Sequence, residues 1–327
     1  MARYSAVYRQ NRPWQEPCSR DWNLEPMSNQ RTATQTPRTF PNILSVDVED
    51  YFQVEAFSAL VSRNSWDTFP CRVVDNTRRV LDLFDECNVR GTFFLLGWVA
   101  DKYPSLVREI VVRGHEAGCH SYWHRMVDQI TPREFRADTE RAKACIEDAA
   151  GIRVEGFRAP TFSITRKTQW APEILIELGF SYDSSIFPIR HDRYGVPDAP
   201  RTPFVMRTPA GYITEFPLTT FRLGRFVNLP VGGGGYLRLF PFIYTRLGVK
   251  SALRQNVPIT IYFHPWELDS EQPRIDTKIP TRIRHYSNLS RMGSRVQRLL
   301  SQADFVPYRD FRACGNLPEI DSARLLG

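Results

Sequence analysis

At 327 residues the chain can bury one large core or two small ones, and its 42% apolar and 24% charged residues are those of a globular protein. No run of about 18 uncharged apolar residues offers a membrane span. The net charge of +7 comes from arginines spread along the chain rather than gathered in one block; this argues against nucleic acid and leaves an acidic polymer or an anionic membrane face as partner.

The first 14 residues contain no apolar stretch of the kind an export signal needs, so the expected location is the cytoplasm, at most the inner membrane face. Six cysteines, Cys18, Cys71, Cys87, Cys119, Cys145 and Cys314, form no close pair and read as reduced thiols. Residues 1–38 are rich in Arg, Gln, Thr, Asn and Pro without a sustained apolar period. They are expected to be a disordered leader, dispensable for activity, with six arginines that could favour an anionic surface.

From residue 39 onward strands and helices alternate. Ile43 to Val48 is a β-rich run ending in acids, and Val73, Thr77, Val80, Leu81, Phe84 and Cys87 recur at helical spacing. Thr92 to Leu96 reads as a buried strand; Val99, Tyr103, Leu106, Val107, Ile110 and Val111 read as one helical stripe. His115 to His120 is a short strand. Thr131-Pro132-Arg133-Glu134 supplies an N-cap, a first-position proline and a capping-box glutamate for the next helix. Strands follow at Val154 to Arg158, Gly211 to Phe216 and Pro258 to Phe263, with a helix at Pro172 to Leu178.

Repeated βα units predict an α/β fold with a parallel sheet covered by helices, and polar residues Asp47, His120, Arg158, Asp183 and His264 at strand ends favour a barrel. The expected division is a leader over 1–38 and a single domain over 39–327. Within that domain, 190–257 reads as an irregular insertion, a lid or substrate wall, and about 270–315 as a C-terminal extension. The glycine run Gly232 to Gly235 is no phosphate loop, since no Lys-Ser/Thr follows it.

The chemistry is concentrated in a few places. His120 and His124, four apart in a turn or tight loop, could share one divalent metal, and neutral imidazoles suit zinc and its neighbours. His115 falls on the opposite strand face and reads as structural. A third ligand is needed, and Asp47, Glu49 and Asp50 crowd the end of the first strand. Trp123, Trp170 and Trp266 read as core or as a sugar-stacking wall. His191 lies in a polar loop that could meet an anionic substrate, and His285 reads as a surface residue. No serine-nucleophile elbow is present.

The ordered series Val-Asp-Val-Glu-Asp, Gly-His-Glu-x-Gly-x-His-x-x-x-His, Phe-Arg-Ala-Pro, Tyr-Asp-Ser-Ser and Tyr-Phe-His-Pro resembles the polysaccharide deacetylases of the nodulation-type (NodB homology) family, carbohydrate esterase family 4. It is most similar to the exopolysaccharide-locus branch with an extra C-terminal domain, over residues 40 to 310. The resemblance implies a distorted (β/α) barrel, one divalent metal ion such as zinc, and removal of N-acetyl groups from a polysaccharide, at or beside a membrane-bound synthesis assembly. It implies that Asp47 is the catalytic base and that His120 and His124 are metal ligands. Arg158 would orient the base, His264 would protonate the departing amine, and Asp183 would tune His264.

One departure concerns the ligand acid. The family pattern has two adjacent aspartates, the second on the metal; here Val48 takes that place, so the ligand is Glu49 or Asp50, and strand alternation favours Glu49 by putting it on the face of Asp47. Two rival readings stand beside this one: a metal-independent amide hydrolase of the allantoinase type, and a non-catalytic polysaccharide-binding component.

Overall fold

The computed structural model describes residues 40–224, 227–311 and 316–327. The expected leader over 1–38, Cys18 and Cys314 lie outside the described residues.

β1 (Asn42–Val48) opens the fold and runs through α1 (Val73–Glu86) to β2 (Thr92–Leu95). α2 (Gly97–Lys102) and α3 (Pro104–Val112) lead to β3 (Glu116–Cys119), α4 (Pro132–Ala150) to β4 (Gly156–Phe157), and α5 (Ala171–Glu177) to β5 (Tyr182–Asp183). A hairpin of β6 (Phe204–Thr208) and β7 (Gly211–Glu215) follows, then a ribbon of β8 (Thr220–Leu223) and β9 (Val227–Pro230). α6 (Gly235–Leu239) and α7 (Phe242–Arg254) precede β10 (Thr260–Phe263). The chain then forms α8 (Ile279–Tyr286), α9 (Met292–Leu300), β11 (Phe305–Val306), α10 (Tyr308–Phe311), β12 (Glu319–Asp321) and α11 (Ser322–Leu326). Among the described residues no helix is long and apolar enough to cross a membrane.

The main sheet runs β10-β1-β2-β3-β4-β5-β7-β6-β12, with β11 beside the start of β1. Neighbours from β10 to β7 are parallel, so the strand ends that carry chemistry gather on one rim. β1 is buried along all seven residues, as its near-continuous apolar run requires of a strand covered on both faces. Val80, Leu81 and Phe84 of α1, Leu106, Val107 and Ile110 of α3, and Phe135, Ala142 and Ile146 of α4 enter the same core. This is the α/β architecture that the alternating elements predict, in the distorted form that the resemblance implies.

The distortion is visible where β10 meets the far side of the barrel. Instead of a full strand, Thr219 and the glycine run fill the seam: the Thr219 N–H donates to Thr260 O (3.3 Å), Tyr262 N to Gly232 O (2.8 Å), and Gly234 N to Tyr262 O (3.0 Å). Gly233 is left-handed at φ +133°, and a Cβ there would lie 1.7 Å from the Tyr262 carbonyl oxygen. The run is therefore a close-approach device for the backbone, for which only glycine serves.

Two expectations need correction. The stripe from Val99 to Val111 is not one helix: Tyr103 leaves helical geometry at φ −131°, ψ 59°, and Pro104 starts a new helix, because a residue before proline is pushed out of the α region. Residues 190–257, expected to be irregular, hold β6 and β7 of the main sheet, the β8–β9 ribbon, α6 and α7. Their short strands are separated by prolines and glycines, which hid the period. The capping box forms as read: Thr131 Oγ1 accepts from Glu134 N, and Glu134 Oε2 accepts from Thr131 N at 2.8 Å.

Candidate active site

β3 ends at Cys119, and the next residues turn sharply rather than forming a helix. Ser121 and His124 are both left-handed, at φ 66° and 51°, a conformation that costs a non-glycine residue roughly 1–2 kcal/mol. The loop is held by its neighbours: Arg63 Nε donates to Trp123 O (2.6 Å), Tyr122 N to Asp138 Oδ2 (2.7 Å), and His124 N to Ser121 Oγ (3.0 Å). The outcome is that the rings of His120 and His124 face each other, with centroids 5.2 Å apart.

Glu49 completes the group. One donor atom each from Glu49, His120 and His124 lies within 4.8 Å of the others, and all three residues are buried. Glu49 Oε2 is 2.9 Å from His124 Nε2, yet it makes no directed hydrogen bond, and neither does His124 Nδ1. A buried carboxylate oxygen without a directed hydrogen bond, set against an imidazole nitrogen, is what a cation would satisfy. His120 Nδ1 lies 2.8 Å from the Arg158 carbonyl; that contact puts the ring proton on Nδ1 and leaves Nε2 free as a ligand.

The electrostatics agree with that use. Burial pulls His120 down to about 4, keeping it neutral. Burial works against the charge of Glu49, but His124 and His264 outweigh it and hold its carboxyl at about 2. Two imidazoles and one carboxylate form a donor set suited to zinc and similar ions, so the residues present fit a divalent cation.

Asp50, the other candidate ligand, is turned away. Its carboxylate accepts from Tyr51 N (2.9 Å), Arg72 N (2.6 Å) and Val73 N (2.9 Å), capping the N-terminus of α1. Glu49 is the acid of the cluster.

Asp47, next to the cluster on β1, is paired with Arg158 at the end of β4, Oδ1 to Nη1 at 2.7 Å. Arg158 is fully buried and uses every guanidinium N–H: Ser45 Oγ (2.8 Å) and Asp47 from Nη1, Ser184 O (3.1 Å) from Nε, Ser184 Oγ (3.0 Å) and Tyr308 Oη (2.6 Å) from Nη2. Tyr308 comes from α10, so the C-terminal extension reaches the residue that holds Asp47. Sequence reading missed Tyr308, which no local pattern distinguishes.

His264 ends β10. Its Nε2 is 3.5 Å from Glu49 Oε1, and its Nδ1 is 3.1 Å from Glu267 Oε2. Glu267 is wholly buried and is paired on its other oxygen with Arg238 Nε at 3.0 Å. Burial opposes a charged imidazole, but the carboxylates of Glu49 and Glu267 prevail and raise His264 to about 9. Burial likewise opposes the charge of Glu267, and His264 with Arg238 holds it at about 2.

Asp183 is therefore not the partner of His264. It is buried beside Ser185 and Glu215, and burial pushes its carboxyl up to about 7 against the hydrogen bonds with those two side chains. The resemblance placed the tuning acid on β5, whereas the chain supplies it from the turn directly after His264.

Asp47, Glu49, His120, His124 and His264 share one cavity of about 420 Å³, walled by Phe162, Tyr194, Tyr262, Trp266, Arg238 and His285. Of the three tryptophans considered, Trp266 lines it, donating Nε1–H to Glu49 Oε1 (3.1 Å); Trp123 packs on Trp66 and Trp170 on Phe135. His285 is no surface residue: it is 3% exposed and stacked on Trp266, with ring centroids 4.3 Å apart. His115 is buried between Phe84 and Phe93, away from the cluster. His191 stacks on Tyr194 and meets Asp192.

A buried two-histidine, one-carboxylate cluster on the rim of an α/β barrel, with a separate aspartate and histidine in the same cavity, defines a hydrolase-type site. Residues 64–182 match the family profile described as polysaccharide deacetylase, and residues 184–312 match the one described as a domain of unknown function, DUF3473. Residues 64–182 thus carry a polysaccharide deacetylase domain, and the DUF3473 region follows it directly. It is 33% identical over 98 residues to a peptidoglycan-N-acetylglucosamine deacetylase of Bacillus cereus, a match covering 30% of this chain and 36% of that protein. It is 34% identical over 98 residues to a bifunctional xylanase/deacetylase of Pseudobutyrivibrio xylanivorans, covering 30% and 16%. The matches thus span little more than a third of these relatives at most. The fold is that of a crystal structure from Mycobacterium smegmatis described as a candidate polysaccharide deacetylase, with TM-score 0.56 at 18% identity, covering 88% of this chain and 95% of that one.

Proposed function

We propose that the chain hydrolyses N-acetyl groups of amino sugars in a polysaccharide, using a divalent cation, zinc by donor chemistry, held by Glu49, His120 and His124. The observation that carries this reading is that Asp47 and His264 line the cavity of that cluster, each fixed by its own buried ion pair. The named activities of the matched relatives support it, and the resemblance to the exopolysaccharide-locus branch supports a place in the synthesis of an exported polymer.

When bound, the cation would polarise the acetyl carbonyl and lower the pKa of a water molecule. Asp47, aimed by Arg158, accepts a proton from water as its oxygen adds to the carbonyl carbon. His264, protonated and aimed by Glu267, gives a proton to the sugar nitrogen as the C–N bond breaks. The products are acetate and a free amine. Tyr262, Trp266 and Phe162 provide aromatic walls for sugar rings.

Metal analysis separates this from the rival readings. The purified protein should hold about one divalent ion and release acetate from N-acetylated oligosaccharides, lose that release on chelation and regain it on adding zinc back. A protein that hydrolyses amides without metal would be the allantoinase-type alternative; one that binds glycans without releasing acetate would be a binding component.

A further inference from the structure

From Phe216 to Trp266 the sequence contains no aspartate or glutamate, although it builds the β8–β9 ribbon, α6 and α7. Soluble surfaces intersperse both signs of charge, so a stretch of this length with cations only marks an unusual face.

α7 shows what that face is made of. Thr245, Gly248, Val249 and Ala252 point inward and are buried; Gly248 allows close seating, since a Cβ there would lie 2.5 Å from a Val231 methyl. The opposite side, at helical spacing, carries Ile243, Arg246, Leu247, Lys250 and Arg254, all exposed. Ile243 and Leu247 are 48% and 53% exposed, and among the described residues none of the three cations has an acidic partner. Phe240, 39% exposed, precedes the helix. The ribbon packs on α7 through Phe221 and Tyr244, and its paired tip residues Leu223 and Val227 are also exposed, at 56% and 49%.

We infer that this face docks on an anionic lipid bilayer. Apolar side chains at the tip of a ribbon and along a helix can enter the acyl boundary, while arginine and lysine stems on the same face reach back to headgroup phosphates. A protein partner would need acids set against these cations and a matching apolar surface. A bilayer supplies both without a fixed shape, and neither the ribbon, α6 nor α7 contributes an acid that would oppose a negative surface. α6, which contributes Arg238 to the cavity wall, leads directly into Phe240, so docking would bring the cavity close to the membrane.

Vesicle flotation of the full chain tests this. Vesicles of phosphatidylglycerol and phosphatidylcholine should carry the protein, pure phosphatidylcholine should not, and salt should weaken binding. The combined variant Arg246→Gln, Lys250→Gln, Arg254→Gln should lose on the order of 100-fold in partitioning, with unchanged melting temperature and unchanged action on soluble substrate. Failure of the wild-type chain to float with anionic vesicles would overturn the proposal, as it would if a protein partner covers the face. So would undiminished flotation of the variant, which would place the attraction elsewhere, such as the arginine-rich first 38 residues.

Discussion

Glu267 Oε2 accepts the backbone N–H of His264 at 3.0 Å and lies 3.1 Å from its ring Nδ1. Histidine and carboxylate therefore share one short turn, Pro265–Leu268, whose proline stiffens it, and Arg238 anchors the carboxylate from behind. Glu267→Gln should lower acetate release by about 10²–10⁴-fold, the scale of a misoriented or wrongly protonated histidine, while metal content stays unchanged. Asp183→Asn should leave the ring of His264 in place. Comparing pH–rate profiles of the two variants distinguishes these roles, since only Glu267→Gln should move the limb set by the histidine.

The two acids after Val48 should separate cleanly. Glu49→Gln and His124→Ala are expected to lower bound metal to near zero by elemental analysis, with a folded protein remaining. Asp50→Ala should keep the metal and instead cost about 2 kcal/mol or more of stability, because two backbone N–H groups at the start of α1 and that of Tyr51 lose their acceptor. If Asp50→Ala emptied the metal site in a folded protein, the assignment of Glu49 would fail.

Tyr308→Phe tests the link between the C-terminal extension and the base. It removes one hydrogen bond to Arg158 and one to Ser184, at 2.6 and 2.8 Å. The expected cost is about 1–3 kcal/mol, since a buried guanidinium N–H is left unsatisfied, seen as a lower melting temperature with metal content intact.

The buried Asp183–Glu215 pair makes stability depend on pH. Burial raises both carboxyls, Asp183 to about 7 and Glu215, with the charge of Asp183 beside it, well above its usual value. The folded chain therefore keeps protons that the unfolded chain gives up near pH 4. The pair's contribution is complete below about pH 4 and is lost as pH rises through about 7. Glu215→Gln, which imitates the protonated acid and can still accept the Ile186 N–H, should flatten the fall in melting temperature over that range. An unchanged slope would contradict the shared-proton account.

Much of the fold was legible because its signals are local. The capping box at Thr131 and Glu134 and the apolar run of β1 each declare themselves within a few residues. The split at Pro104 was legible too, but helical spacing on both sides of Tyr103 masked it. The site was read in part. His120, His124 and a carboxylate from the end of β1 could be grouped by spacing and strand alternation, but the choice between Glu49 and Asp50 depends on where α1 docks. Tyr308, which reaches Arg158 across 150 residues, and the burial of His285 are products of tertiary packing that no local period encodes; Glu267 is only three residues from His264, but its anchoring by Arg238 is a tertiary contact. The glycine run was read as part of an irregular insertion and as no phosphate loop; its use as the barrel seam follows only from the position of Tyr262.

The central claim is that Asp47 and His264 serve as base and acid beside a cation held by Glu49, His120 and His124. Acetate release from N-acetylglucosamine oligomers by the metal-loaded full-length protein tests it most directly. The account predicts one acetate per new amine, with Asp47→Asn and His264→Ala each slower by about 10²–10⁴-fold while retaining metal. Near-wild-type release by either metal-bearing variant, or none from the metal-loaded wild type, would contradict it.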